Sequence, residues 1–275
     1  MNSWLPPGGE NLFQRIKRQR TAAAESGIKI LDMSIGQPQG PALVSARLAA
    51  SNAIQSRTMA MHEYQDNDSP GCPGFAQRFV EAHLGHQLSG PVAFLPIPGI
   101  KPMLGLIPKA CGAVQRTFTV ATMTAPGYPT PRDQCLDLHL NVQELPLNVA
   151  NQFVVNDAAG VEEGVSLLML NYPHNPSGQI STTSEWSRIC KFCEKRGIRL
   201  FNDGAYLALQ HTSAGCALAE VAIEFPDLSW MEAYSASKSI ANGTGWRVGA
   251  MVGSPDFIAD LTRVKGNVDS GFTAP

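Results

Sequence analysis

The sequence predicts an α/β fold of three layers with a mostly parallel central sheet, on three observations. Short apolar runs alternate with helix-length runs from Pro91 to about Lys265, and that alternation builds a parallel sheet covered by helices. Val165 to Leu170 is uninterrupted apolar, the pattern of a strand buried on both faces. Polar and glycine-bearing residues recur just after the strands, where open α/β sheets hold their ligands.

Each element has its own signal. Glu10 to Ser26 reads as a helix with Leu12, Phe13 and Ile16 on one face and Gly27 as its stop. Ile30 to Ile35 reads as a short strand running into the Gly36-Gln37-Pro38 turn, Ala42 to Arg57 as a helix, Tyr64 to Gly74 as a long loop and Phe75 to Leu84 as a helix. Strands are then expected at Val92–Leu95, Thr117–Thr122, Leu140–Leu145, Val165–Leu170, Ile198–Phe201, Leu228–Tyr234 and Trp246–Val252. Helices fall between them at Gly99–Cys111, bent near Pro108, and at Pro129–Leu138, Thr182–Arg196 and Cys216–Phe225, with a last one from Ser254 to Lys265. Thr182 and Glu185 are spaced as a capping box.

Composition narrows the function classes. A net charge of −2 over 275 residues offers no electrostatic footprint for nucleic acid or an anionic membrane. No apolar run approaches the roughly 20 residues of a membrane helix. The start lacks the basic and apolar regions of a signal peptide, and the six cysteines show no disulfide-scaffold density. The expectation is a cytoplasmic protein. Cys190 and Cys193 form a CxxC within an expected helix, without a second pair at zinc spacing, so no metal site is expected. His83 and His86 lack a third ligand, and His174 is expected to shape its own loop.

The chemistry concentrates in Tyr234 to Gly249. Lys238 follows Ser235 and Ser237, and Arg247 follows nine residues later. A lysine amine forms a Schiff base with a carbonyl. Serine hydroxyls and an arginine fork suit a phosphate monoester. Pyridoxal 5′-phosphate carries both an aldehyde and a phosphate, and is the cofactor this stretch points to. Further groups stand at other strand ends: Gly99-Ile100-Lys101, Pro126-Gly127-Tyr128-Pro129, Asn171 to Pro176 and Asn202 to Tyr206. The plainer alternatives are a solvated lysine, an aspartate capping a turn at 203, a turn-forming Asn175, a core tyrosine at 128 and a loop tyrosine at 64.

Asn175-Pro176-Ser177-Gly178, Asp203-Gly204-Ala205-Tyr206, Ser235-Ala236-Ser237-Lys238 and Gly245-Trp246-Arg247-Val248-Gly249, in that order and spacing, resemble the signature set of the class I/II aminotransferases, pyridoxal-phosphate enzymes of fold type I. The resemblance runs from about Asp32 to the end. It implies that Lys238 carries the cofactor as a Schiff base and later shuttles the substrate proton. It implies that Asp203 faces the pyridine nitrogen, keeping the ring an electron sink, while Tyr206 and Asn175 hold the 3′-oxygen. Ser235, Ser237 and Arg247 would form the phosphate cup. Gly99, Ile100 and Lys101 would add a helix N-terminus to it, through backbone rather than the Ile100 side chain. Tyr128 would stack on the ring, and Gly36 would leave room for the substrate carboxylate. Tyr64 resembles the tyrosine lent to a neighbouring subunit's phosphate, which implies a homodimer with shared sites.

The resemblance also sets the expected domains: residues 1–40 as an N-terminal arm and the start of a small domain, and 41–275 as the large cofactor-binding domain. The C-terminal small domain, with its carboxylate-gripping arginine, is expected to be absent or truncated. The expected reaction moves an amino group between an amino acid and a 2-oxo acid. Alternatives are a C–S lyase or aminocyclopropane carboxylate synthase-like chemistry, or a truncated, non-catalytic homologue that binds the cofactor.

Overall fold

The computed structural model describes residues 12–33, 36–155 and 160–271. The chain divides into two units, Met1–Gln39 and Gly40–Pro275. In the first, helix α1 spans Leu12–Glu25 with no buried residue, and Arg20 pairs with Asp32. The strand expected at Ile30–Ile35 is not formed over its described part: residues 28–33 are irregular, and Leu31 and Met33 are almost fully exposed. Alternation in sequence makes a strand only where a partner completes the hydrogen-bond ladder, and none pairs there among the described residues. Ser34 and Ile35 lie outside them.

The second unit holds the sheet. Helix α2 (Val44–Ile54) and α3 (Phe75–Leu84) precede strand β1 (Ala93–Ile97). Then follow α4 (Ile100–Met103), α5 (Leu106–Ala110), β2 (Thr119–Thr122), α6 (Thr130–Asp137), β3 (Asn141–Glu144), β4 (Val165–Leu170), α7 (Thr183–Arg196), β5 (Arg199–Asp203), α8 (Leu218–Ala222), β6 (Trp230–Ser235), α9 (Ala236–Ser239), β7 (Gly249–Gly253) and α10 (Pro255–Lys265). The expected Gly99–Cys111 helix breaks at Leu104–Gly105, ahead of Pro108, where Gly105 packs against the Gln134 side chain.

The seven strands run in the order β1-β7-β6-β5-β4-β2-β3. β3, β2, β4, β5 and β6 are mutually parallel. β7 is antiparallel to both of its neighbours, β6 and β1. β1 therefore points the same way as β6, and the carboxyl ends of all strands but β7 share one edge. β7 begins at that edge, with Gly249 opposite both Ser235 and Ile97.

Alternation along the strands divides two cores. On one face Leu168, Leu200, Trp230 and Tyr234 pack against α3, α7 and α8 through Val80, Trp186, Ile189 and Leu218. On the other, Leu167, Phe201 and Met231 pack against α4, α5 and α10 through Met103, Ile107 and Phe257. The result is the expected three layers. Burying each such side chain contributes roughly 1.5–3 kcal/mol. Helix α7 starts as predicted: the Thr182 hydroxyl accepts from the Glu185 amide, and the Glu185 carboxylate accepts from the Thr182 amide at 2.7 Å.

Candidate active site

The carboxyl edge of the sheet gathers most of the residues singled out by sequence. β6 ends at Ser235, which turns the chain directly into the single turn of α9. The buried Ser235 hydroxyl accepts from the Ser237 amide at 3.1 Å and donates to the Ser237 hydroxyl at 2.9 Å. This short turn carries Lys238 beside the sheet edge, half-buried, and burial pulls its amine below the ordinary lysine value. A lowered amine pKa raises the neutral, nucleophilic fraction.

β5 ends at Asp203. Its side chain is 7% exposed, and its carboxylate accepts from the Ala205 amide at 3.1 Å. Burial pushes it up to about 6, with that one bond opposing. No salt bridge reaches it among the described residues. Tyr128 and Tyr206 are close enough to feel its charge: burial raises both phenols, and the Asp203 carboxylate adds to the rise. Tyr128 also lies within the field of Arg247. The Asn175 side-chain amide donates to the Tyr206 hydroxyl at 3.3 Å. Tyr128, Asn175, Asp203 and Tyr206, from three different strand ends, thus form one cluster.

Arg247 precedes β7 in the left-handed region, φ 57°. The expected strand from Trp246 starts only at Gly249, because the chain turns through Gly243–Trp246 to aim this arginine. Its guanidinium donates to the Thr244 carbonyl at 3.0 Å and the Pro98 carbonyl at 3.3 Å. Gly99 sits against it at φ 83°, where an added Cβ would strike the guanidinium. Glycine is required there on both counts. Ile100 is buried and belongs to the core on the α5 and α10 side of the sheet. Lys101 is exposed on the same turn.

Tyr64 is exposed and lines an open cavity of about 400 Å³ with Glu63, Gln65, Pro98, Arg247, Ser270 and Gly271. It therefore stands near the Arg247 of its own chain. Gly36 belongs to the N-terminal unit, where it is exposed and irregular.

The sequence assigned no individual role to several buried polar groups. Asn171 donates to the Asp203 carbonyl at 2.8 Å and accepts from the Asn175 amide at 2.8 Å, tying two strand ends together. Asn202 and Glu232 are fully buried beneath them. A carboxylate within the apolar run Trp230–Tyr234 is the signal that would have found Glu232. His174 shapes its loop, as expected: its Nδ1 lies 2.7 Å from the Ser177 hydroxyl, and its backbone bonds to Gly178 and Gln179. Cys190 and Cys193 are core residues of α7. Burial raises both thiols, Cys193 to about 12, so they remain protonated.

The donor set matches the parts of pyridoxal phosphate. A buried carboxylate suits a ring N–H, a lowered lysine suits an aldehyde, and the Gly99–Arg247 cradle with two linked hydroxyls suits a phosphate. The fold and this edge define a fold-type I pyridoxal-phosphate enzyme. The family model "Aminotransferase class I and II" matches residues 28–274. This chain belongs to that family and is a pyridoxal-phosphate-dependent aminotransferase. It is 28% identical to LL-diaminopimelate aminotransferase 2 of Trichormus variabilis, covering 97% of this chain and 67% of that one. It is 30% identical to LL-diaminopimelate aminotransferase of Gloeobacter violaceus, with 97% and 67% covered. An aminotransferase structure from Mycobacterium tuberculosis superposes with a TM-score of 0.82 at 20% identity, covering 100% of this chain and 69% of that one, a likeness of fold.

Proposed function

We propose that this chain performs transamination at the sheet edge built by Lys238, Asp203, Tyr206 and Asn175, with Ser235, Ser237, Gly99, the Ile100 backbone, Lys101 and Arg247 holding the cofactor's phosphate. When bound, pyridoxal phosphate supplies the electron sink that lets the bond from the substrate α-carbon to hydrogen break. The observation that carries the reading is Asp203: a buried carboxylate without an ion pair among the described residues, one strand from the lysine turn. A buried charge left that way is costly and is stabilised once a cationic ring N–H meets it. Lys238, its amine lowered by burial, binds the aldehyde and then moves the proton at the substrate α-carbon. Tyr206, steadied by Asn175, donates to the 3′-oxygen. Tyr128 would cover the ring face.

The same reading has the enzyme in the cytoplasm as a homodimer. Its support is the exposed apolar surface of α2 and its neighbour turn, Val44, Leu48, Ile54 and Met59, which a second subunit would cover, with Tyr64 exposed close by. The relatives' names make LL-diaminopimelate the first amino donor to test.

The purified chain titrated with pyridoxal phosphate is expected to develop a visible absorbance band that Lys238→Ala abolishes. A band equally strong in the variant overturns the assignment of Lys238. Loss of the band on adding the amino donor, and its return with a 2-oxo acid, marks transamination. Release of ammonia and an oxo acid marks lyase chemistry instead.

A further inference from the structure

Beneath the site, on the opposite face of the sheet, lies a closed polar network. Asn202 shares its face of β5 with Leu200, whereas Asp203 and Phe201 point the other way. Asn202 is directly opposite Glu232 on β6, and both are fully buried. The Glu232 carboxylate accepts from the Asn202 side-chain amide at 2.7 Å, the Tyr234 hydroxyl at 2.6 Å and the Ala219 amide at 2.8 Å. Every partner donates, so a carboxylate fits and a neutral amide does not: glutamine in either orientation turns an N–H toward a donor.

The other bonds of Asn202 reach the site. Its Oδ1 accepts from the Tyr172 amide at 2.8 Å and its Nδ2 donates to the Tyr172 carbonyl at 3.0 Å. A side chain here imitates a ladder partner, extending the β4–β5 pairing beyond Leu170. Glu232 fixes which way that carboxamide faces, because only its nitrogen can meet a carboxylate. Tyr172 is flanked by the site: Asn171 bonds to the Asp203 carbonyl and the Asn175 amide, and Asn175 bonds to the Tyr206 hydroxyl. Buried networks of this kind hold one geometry only while every member is satisfied.

We propose that Glu232 and Asn202 are positioning residues for the cofactor: acting through Tyr172 and the Asn171–Asn175 turn, they set where Asn175 and Tyr206 meet the cofactor's 3′-oxygen. They touch no substrate. The proposal rests on the cofactor reading above.

Two measurements on the full chain test it. In the cofactor-free chain, Asn202→Ala should speed hydrogen exchange at the Tyr172 and Asn175 amides by about tenfold or more, the loss of roughly one buried hydrogen bond. With pyridoxal phosphate bound, the pH midpoint of the visible band should rise in Asn202→Ala, because donors to the 3′-oxygen favour the unprotonated form and are now misplaced. In an Asn175→Ala background the same substitution should shift the midpoint no further. Tyr234→Phe, which removes a different partner of Glu232 from the same core, should leave the midpoint in place. Glu232→Gln is the gentler variant if Asn202→Ala does not fold, with the same expected directions. A variant whose melting temperature falls while the exchange rates and midpoint stay unchanged overturns the proposal, as does a shift that persists undiminished without Asn175. An unmodified chain lacking the band overturns the cofactor reading and this role with it, whereas a normal band with an unmoved midpoint overturns this role alone.

Discussion

Strand β5 carries a charge at each end, and the two ends use it differently. Arg199, at the amino end, is surrounded by partners: it donates to Asp260 at 2.6 Å and to the Ala110 carbonyl at 2.9 Å, lies 3.7 Å from Asp256, and covers the Phe257 ring. Asp203, at the carboxyl end, is more deeply buried, and its carboxylate accepts from the Ala205 amide. The first charge is spent on joining β5 to α5 and α10. The second has no ion pair among the described residues, and the cofactor's ring N–H is its proposed partner. A satisfied charge marks structure, and a buried charge without an ion pair marks a site.

The comparison can be tested from either end. The largest effect is expected at Asp203. Asp203→Asn should slow turnover by about 10³-fold, the scale on which one electrostatic contact in a preorganised site acts. The same substitution should stabilise the cofactor-free chain at pH 8. The sign follows from the folded carboxyl titrating at about 6 against about 3.9 unfolded. Above pH 6 the folded state bears the full cost of the buried charge, up to about 3 kcal/mol. As pH falls through 6 the folded chain takes up a proton first, and the advantage of asparagine shrinks, vanishing near pH 4. Thermal unfolding across that range, with and without pyridoxal phosphate, reads both. If Asp203→Asn instead lowers stability at pH 8, the contrast between the two ends is erased.

A smaller loss is expected at the other end. Arg199→Ala should destabilise the chain by about 2 kcal/mol, because it removes a partly exposed ion pair with Asp260 and the bond to the Ala110 carbonyl and uncovers Phe257. Denaturant unfolding measures it. Cofactor affinity should not move, and a matching loss of affinity would mean that the amino edge is coupled to the site. Smallest is Gly99→Ala, where a left-handed φ and the approach of Arg247 should cost about 1–2 kcal/mol. Unlike Arg199→Ala, it should also weaken cofactor binding several-fold in a spectroscopic titration.

Much of the layering was legible because periodicity is local. Val165–Leu170 is the strand its uninterrupted apolar run predicts, and Thr182 with Glu185 caps α7 as their spacing predicts. Ile30–Met33 misled because alternation says nothing about a ladder partner. Trp246–Val248 misled because a positive φ at Arg247 ends the strand pattern, and no residue type announces a left-handed arginine. Lys238, Asp203 and Arg247 could be named as candidates from motif chemistry. The link between Asn202 and Glu232 could not, since it lies in pairing across strands thirty residues apart.

The sequence alone determined which chemical groups this protein has and roughly which strand each one follows, because side-chain chemistry and apolar period are properties of short stretches. Only the tertiary structure decided that those strand ends share one edge, that Asp203 is buried there without an ion pair among the described residues, and that a second polar network stands behind it. Strand order, register and burial arise from contacts between distant segments, and desolvation, which makes Asp203 and Lys238 unusual, exists only once those segments have closed around them.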